Sequence, residues 1–329
     1  MKKKNILIDK FNKKDYTIEK KIFGKNYNLL SLNGKKLSSS LKFLKKIDGV
    51  LAWHENTFDK KILDQLKNCK IITRVGVGFN NIDLSHAKKK NIKVCNVPDY
   101  GINDVADHAM TFLLVLCKKI NSYSEDVRKK LNWKWGDYKK LKRIQNTTLG
   151  ILGCGRIGSA VALRAKSFGM NVIFYDPYVT SGHEKTLSIK RQENLKNFLG
   201  EIDVLSIHTP LTEITNNMVN DSFVKKMKKG VIIINTARGP ILNKETIYRF
   251  LKNGHIGGVG LDVYENEPPL KNDKLYKSWR KSLKNFNHNI LFTPHSAFLN
   301  NESYIELRQK AAINIKNFFE KKIVKNQVN

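Results

Sequence analysis

Short apolar runs alternate with longer segments of helical period along almost the whole chain. The runs fall at 6–8, 50–52, 71–73 and 93–95 in the first third, then at 149–153, 172–175, 204–207, 231–234, 258–261 and 290–292. Most are uniformly apolar, which fits strands covered by helices on both faces rather than strands with one wet side. Strand and helix in alternation predict parallel sheets in an α/β fold. Between the two sets, residues 103–120 carry Val105, Ala109, Phe112, Leu113 and Leu116 on one helical face, with Asn103 as the expected N-cap. Residues 302–322 show the same spacing and predict a closing helix. No internal repeat or low-complexity linker interrupts the pattern.

Length and composition narrow the picture. With 329 residues, 41% hydrophobic and 27% charged, the chain can bury sizeable cores and reads as two domains. Disorder, collagen and small disulfide scaffolds are excluded. The longest near-apolar stretches, 110–117 and 231–234, fall far short of the roughly 20 residues of a membrane span, so no membrane partner is expected. The start, Met1-Lys2-Lys3-Lys4-Asn5-Ile6-Leu7-Ile8-Asp9, lacks the apolar region of a signal peptide. Cys69, Cys95, Cys117 and Cys154 have no paired spacing and read as reduced core thiols, which together with the missing leader points to the cytoplasm.

The charge is the one extreme: 60 basic against 29 acidic side chains, a formal +31. Lysines recur from Lys2 to Lys325 without a basic tail or a nucleic-acid fold signature, so this is a solvated surface and no nucleic-acid partner is expected. It would still concentrate a small anion. Segment 271–289, with Lys274, Lys277, Arg280, Lys281 and Lys284 around Leu275, Tyr276 and Trp279, reads as a solvated insertion in preference to a partner-binding surface.

The strand at 149–153 runs into Gly153-Cys154-Gly155-Arg156-Ile157-Gly158, a G-x-G-x-x-G followed by good helix formers. Gly153 is assigned the tight turn, Gly155 the approach of backbone to a pyrophosphate, and Gly158 close helix–strand packing. The helix N-terminus offers N–H groups and a positive dipole end to the phosphates. After Tyr175 comes Asp176, 18 residues beyond Gly158, where a carboxylate bonds an adenine-ribose hydroxyl and repels a 2′-phosphate. The expected cofactor is NAD, and no metal is expected.

Three further segments follow predicted strands, where open α/β sheets bind ligands. They are Asn235-Thr236-Ala237-Arg238-Gly239, Asp262-Val263-Tyr264-Glu265-Asn266-Glu267-Pro268 and Thr293-Pro294-His295. Together they supply a guanidinium, a carboxylate and an imidazole. Redox chemistry on a 2-oxo acid needs an arginine fork for the substrate carboxylate, an acid–base group for the carbonyl oxygen, and an orienter for that group.

In this order, with Arg74-Val75-Gly76-Val77-Gly78-Phe79-Asn80-Asn81-Ile82-Asp83 and Asn96-Val97-Pro98, the motifs resemble the D-isomer-specific 2-hydroxyacid dehydrogenase family over nearly the whole chain. The resemblance implies two Rossmann/flavodoxin-like lobes: a substrate-binding domain of residues 1–98 plus 300–329, and an NAD-binding Rossmann domain of residues 99–299. It also implies a homodimer acting on a small anionic 2-oxo or 2-hydroxy acid. Carried over, Arg238 binds the carboxylate, His295 is the acid–base and Glu267 orients it. A neighbouring carboxylate favours imidazolium, ready to give a proton during reduction.

Cofactor contacts implied by the family are Gly153, Gly155, Arg156, Ile157, Gly158, Tyr175, Asp176, Thr209, Pro210, Thr215, Thr236, Ala237, Arg238, Asp262, His295 and Ala297. Substrate contacts are Trp53, His54, Arg74, the backbone N–H groups around Gly76, Val77 and Gly78, and Phe298. Residues 161–169 and 174–178 look especially like the branch containing the C-terminal-binding-protein corepressors, although Phe298 stands where those carry a tryptophan. That branch supplies the alternative: an NAD(H)-gated protein-binding scaffold with incidental dehydrogenase activity.

Overall fold

Each of the ten short apolar runs lies on a strand in the computed structural model, save that Gly153 falls just past the end of its strand; the structure describes residues 3–9, 15–32, 37, 41–130, 133, 141–282, 286 and 289–329. The chain forms two compact units, Met1–Gly101 with Leu299–Asn329, and Ile102–Phe298. The divisions fall at Gly101/Ile102, where a long helix begins, and at Phe298/Leu299, against the 98/99 and 299/300 expected from the sequence.

The first unit holds β1 (Lys4–Asp9), β2 (Tyr27–Ser31), β3 (Gly49–Ala52), β4 (Ile71–Arg74) and β5 (Lys93–Cys95) in the order β2-β1-β3-β4-β5. All four pairings are parallel. The helix Asn301–Lys321 belongs to this unit, started by a capping box in which Asn300 and Ser303 bond each other's backbone N–H. Its Arg308 meets Glu19 of helix Thr17–Phe23 in a buried ion pair at 2.6 Å.

The second unit holds β6 (Thr148–Leu152), β7 (Asn171–Tyr175), β8 (Lys190–Arg191), β9 (Val204–Ile207), β10 (Val231–Asn235), β11 (Ile256–Leu261) and β12 (Ile290–Phe292). Their order is β12-β11-β10-β9-β6-β7-β8, again parallel throughout. The strand order reverses between β6 and β9, the switch point beside which doubly wound sheets bind nucleotides. Side chains such as Leu205, Ile207, Ile233 and Ile234 are fully buried, and each such burial stabilises by about 1.5–3 kcal/mol.

Two strands escaped the sequence reading, β2 and β8. Both are sheet edges, half covered and partly polar, so neither has the uniformly apolar signature of an inner strand. The helix expected at 103–120 is Ile102–Lys118, so Asn103 sits inside its first turn and is not the N-cap. Its amide oxygen instead accepts from Arg164 Nη2 at 3.2 Å.

The described part of segment 271–289 is solvated on one side only. Helix Lys274–Arg280 exposes Lys274, Lys277 and Arg280 while burying Leu275 and Ser278. Trp279 packs on Phe292 of β12 with ring centroids 4.9 Å apart, and Phe286 is buried in the same core. The apolar face is used internally, which removes it as a partner-binding face; Lys284 lies outside the described residues. All four cysteines are free, and no helix among the described residues is long and apolar enough to cross a membrane.

Candidate active site

The glycine-rich turn at the end of β6 is shaped by contacts a side chain would break. Gly153 has φ +89° and its absent Cβ would lie 2.9 Å from the backbone nitrogen of Thr209. A Cβ on Gly158 would sit 2.2 Å from Gly153 O, so helix Arg156–Ser167 can approach β6 only because that carbon is missing. Gly155 differs: an added Cβ meets nothing within 4 Å, leaving open space over the backbone at the start of the helix. Asp176 at the end of β7 closes the turn, its Oδ2 accepting from Cys154 N–H and its Oδ1 from Tyr178 N–H, both at 2.8 Å. Arg191 of β8, which no local motif announced, donates to Asp176 O at 3.1 Å.

Further along the same sheet edge, the hydroxyls of Thr209 and Thr236 are buried without a hydrogen-bond partner among the described residues. Buried polar groups left unpaired are costly and call for a ligand or water. Open space over Gly155, a carboxylate at Asp176 and two orphaned hydroxyls beyond the switch point are what a bound dinucleotide would complete. Of the other expected contacts, Arg156 and Ile157 open the helix, Tyr175 packs its ring on Phe198, and Pro210 is exposed. Thr215 spends its hydroxyl proton on Pro210 O at 2.7 Å, so it shapes that loop from within.

The ends of β10, β11 and β12 bring the three reactive groups together. His295 Nδ1 and Glu267 Oε2 are 2.6 Å apart, and the other carboxylate oxygen accepts from Tyr264 N–H at 2.9 Å. Burial pushes the Glu267 carboxyl up, but the hydrogen bond and charge of His295, the Tyr264 N–H and the Arg238 guanidinium outweigh it and hold the group below the usual carboxylate range. Arg238 is held through its turn: Asn235, fully buried, accepts from Ala237 N–H and donates to Arg238 O, both at 2.9 Å. Gly239 then lets this turn lie against the backbone of Tyr264 and Glu265, where a Cβ would come within 1.9 Å of Tyr264 C. Phe298 stands edge-on to the His295 ring at 6.4 Å.

His295 itself has φ +52°, a left-handed conformation that costs a non-glycine residue on the order of 1 kcal/mol or more. Asp262, 2% exposed, winds the loop into it. Its Oδ1 accepts from Thr293 Oγ1 at 2.6 Å and Ser296 N–H at 2.8 Å, its Oδ2 from Ala297 N–H at 3.0 Å, and its carbonyl from His295 N–H at 2.7 Å. Asp262 and Ala297, expected beside the cofactor, are thus also the frame of the histidine loop.

The remaining expected residues lie in the first unit, at the ends of β3 and β4. Trp53 is buried against Tyr304 with ring centroids 5.9 Å apart, His54 is exposed, and Arg74 is buried with its guanidinium on Val75 O. Gly76 has φ +149° and gives its N–H to Arg74 O at 3.0 Å. Of the three N–H groups assigned to an anion, those of Val77 and Gly78 are therefore the ones without a partner among the described residues. Asn96 and Val97 latch this loop from β5, through Val77 O at 2.7 Å and Gly76 O at 3.0 Å.

The sequence also gave no hint of Asp9. It is fully buried at the end of β1, hydrogen-bonded to Asn56 Nδ2 at 2.5 Å. Burial pushes its carboxyl up to about 8; Glu55 adds to this while the Asn56 bond and the Arg74 charge oppose it. A carboxyl raised in the folded state favours folding most below its unfolded value near 3.8, and that contribution is lost as pH climbs toward about 8. Asp9→Asn keeps an acceptor for Asn56, so it should melt several degrees above the unaltered protein at pH 8 and lose that advantage at pH 4. Equal melting temperatures at both pH values would contradict the assignment.

Comparison with known proteins identifies the family. Residues 110–297 match the family model described as D-isomer specific 2-hydroxyacid dehydrogenase, NAD binding domain. The chain is 34% identical to C-terminal-binding protein 1 of Caenorhabditis elegans over 84% of its own length, but spans only 38% of that protein. It is 33% identical to a glyoxylate reductase of Korarchaeum cryptofilum, over 87% of this chain and 84% of that one. Among solved structures, a D-lactate dehydrogenase from Aquifex aeolicus complexed with NAD and lactic acid superposes with a TM-score of 0.85 at 30% identity, covering 96% of both chains.

Proposed function

Because the chain belongs to the D-isomer specific 2-hydroxyacid dehydrogenase family, whose members use NAD, we propose that it interconverts a small 2-oxo acid and the corresponding D-2-hydroxy acid. NAD, when bound, delivers or accepts the hydride at the substrate's 2-carbon. The observation that carries the reading is the 2.6 Å pair of His295 and Glu267 beside Arg238. With Nδ1 committed to Glu267, His295 Nε2 gives a proton to the 2-oxygen during reduction and takes it back during oxidation. Arg238 holds the carboxylate and polarises the carbonyl. Thr209, Thr236 and Asp176 hold the cofactor.

Screening 2-oxo acids for NADH consumption tests the reaction, and Glu267→Gln tests the pairing. His295, the Tyr264 N–H and Arg238 favour the carboxylate form of Glu267. That stabilisation is present above the ordinary carboxylate range and is lost as pH falls through the lowered value. Glutamine keeps the shape of the side chain but cannot ionise. In Glu267→Gln, kcat for reduction should therefore fall about tenfold or more, and the acid limb that protonation of Glu267 gives the unaltered protein should disappear. Unchanged kcat with the acid limb retained would count against the pairing.

A further inference from the structure

One titratable side chain beside this site has no part in the chemistry above. His108 lies on helix Ile102–Lys118 with its ring edge-on to Phe112 at 4.6 Å. Its Nε2 is 3.0 Å from Thr293 Oγ1 and 3.9 Å from Asp262 Oδ1. A threonine hydroxyl has a single proton, and Thr293 gives it to the Asp262 carboxylate at 2.6 Å. The oxygen of that hydroxyl can then only accept from His108, so the imidazole must carry its proton on Nε2. Burial lowers the His108 pKa, with the Asp262 charge opposing, which keeps the ring in its neutral form near neutral pH.

A chain of hydrogen bonds therefore links helix to loop: His108 Nε2–H donates to Thr293, Thr293 O–H donates to Asp262, and Asp262 accepts from the N–H groups of Ser296 and Ala297, which follow His295 in the chain. Asp262 is bonded on both oxygens, and the strained φ of +52° at His295 is enclosed by these bonds. Removing the first donor leaves the half-buried Thr293 oxygen without its imidazole partner and frees the hydroxyl to rotate away from Asp262. The 293–297 loop can then relax toward ordinary dihedrals, carrying the imidazole off Glu267.

We propose that His108 is a positioning residue for His295, acting through Thr293 and Asp262 to hold the acid–base group in its left-handed conformation against Glu267. The proposal rests on the acid–base reading of His295, and the test separates the two. In His108→Leu, kcat for 2-oxo acid reduction should fall about tenfold or more with the KM values for substrate and NADH unchanged, since the loss is one of alignment. His108→Gln retains an N–H donor at similar reach and should restore most of kcat. Thr293→Val should match His108→Leu, and the double variant should be no worse than either, because both cut one chain.

The independent readout is the ¹⁵N chemical shift of His295 Nδ1, which reports its bond to Glu267, followed by NMR in ¹⁵N-histidine-labelled protein without substrate. It should move in His108→Leu and return to that of the unaltered protein in His108→Gln. If the unaltered protein turns over no 2-oxo acid, the enzymatic reading fails while the NMR comparison still reports on the linkage. Equal kcat in His108→Leu and the unaltered protein, Gln and Leu variants impaired alike, or a His295 Nδ1 chemical shift indifferent to residue 108 would each overturn the proposal.

Discussion

Replacing His295 with asparagine is expected to lower kcat for 2-oxo acid reduction by about 10² to 10⁴, the range over which a positioned general acid acts. Asparagine is the informative substitution because the residue sits at φ +52°, a conformation that asparagine tolerates and most side chains resist. The loop around Asp262 should therefore keep its shape, and its bonds use backbone groups that the substitution leaves in place. What disappears is the ring that carries a proton to the substrate. NADH affinity should fall far less than kcat, since the glycine-rich turn and Asp176 follow β6 and β7 while His295 follows β12. Near-normal kcat in His295→Asn would remove the histidine from the chemistry.

Gly239→Ala is the second large effect, and it is structural in origin. The added carbon would lie 1.9 Å from Tyr264 C, 2.1 Å from Tyr264 O and 2.5 Å from Glu265 N, all backbone atoms that no rotamer change can move. Two chain segments must part. The cost should reach or exceed the upper end of the ~1–3 kcal/mol typical of overpacking, read as a lowered melting temperature. Their separation also displaces Arg238 from Glu267, because Gly239 follows Arg238 directly and Tyr264 N–H is the donor to Glu267 Oε1. A misplacement of about 1 Å at reacting groups costs on the order of 10²-fold, so kcat/KM should fall well beyond what the fraction unfolded explains. Unchanged melting and activity would show that the contact is not tight.

Much of this molecule is readable from residue pattern, and the exceptions have physical causes. Inner strands such as β6, β9 and β10 are buried on both faces, so their sequences are apolar throughout and stand out. Edge strands β2 and β8 carry no such constraint and were missed. The glycine fingerprint and the Arg238, Glu267 and His295 segments stand out because a turn of close backbone approach needs glycine and an imidazole–carboxylate pair beside a guanidinium draws on few residue types. What the sequence hides is contact across chain distance. Nothing local ties His108 to Thr293, Gly239 to Tyr264 or Asn235 to its own turn, and the left-handed His295 follows only from the bonds around Asp262. Asp9 is similar: its raised pKa comes from burial, which a single aspartate at the end of a strand does not announce.

The most direct test follows a labelled hydrogen. The protein is incubated with NADH deuterated at the nicotinamide C4 position and a panel of 2-oxo acids that includes glyoxylate and pyruvate, and the products are analysed by NMR and mass spectrometry. The expected result is deuterium at C2 of at least one 2-hydroxy acid, of D configuration where C2 is chiral, with transfer lost in His295→Asn. Tight NADH binding with no deuterium delivered to any 2-oxo acid, or transfer that survives in His295→Asn, would contradict it.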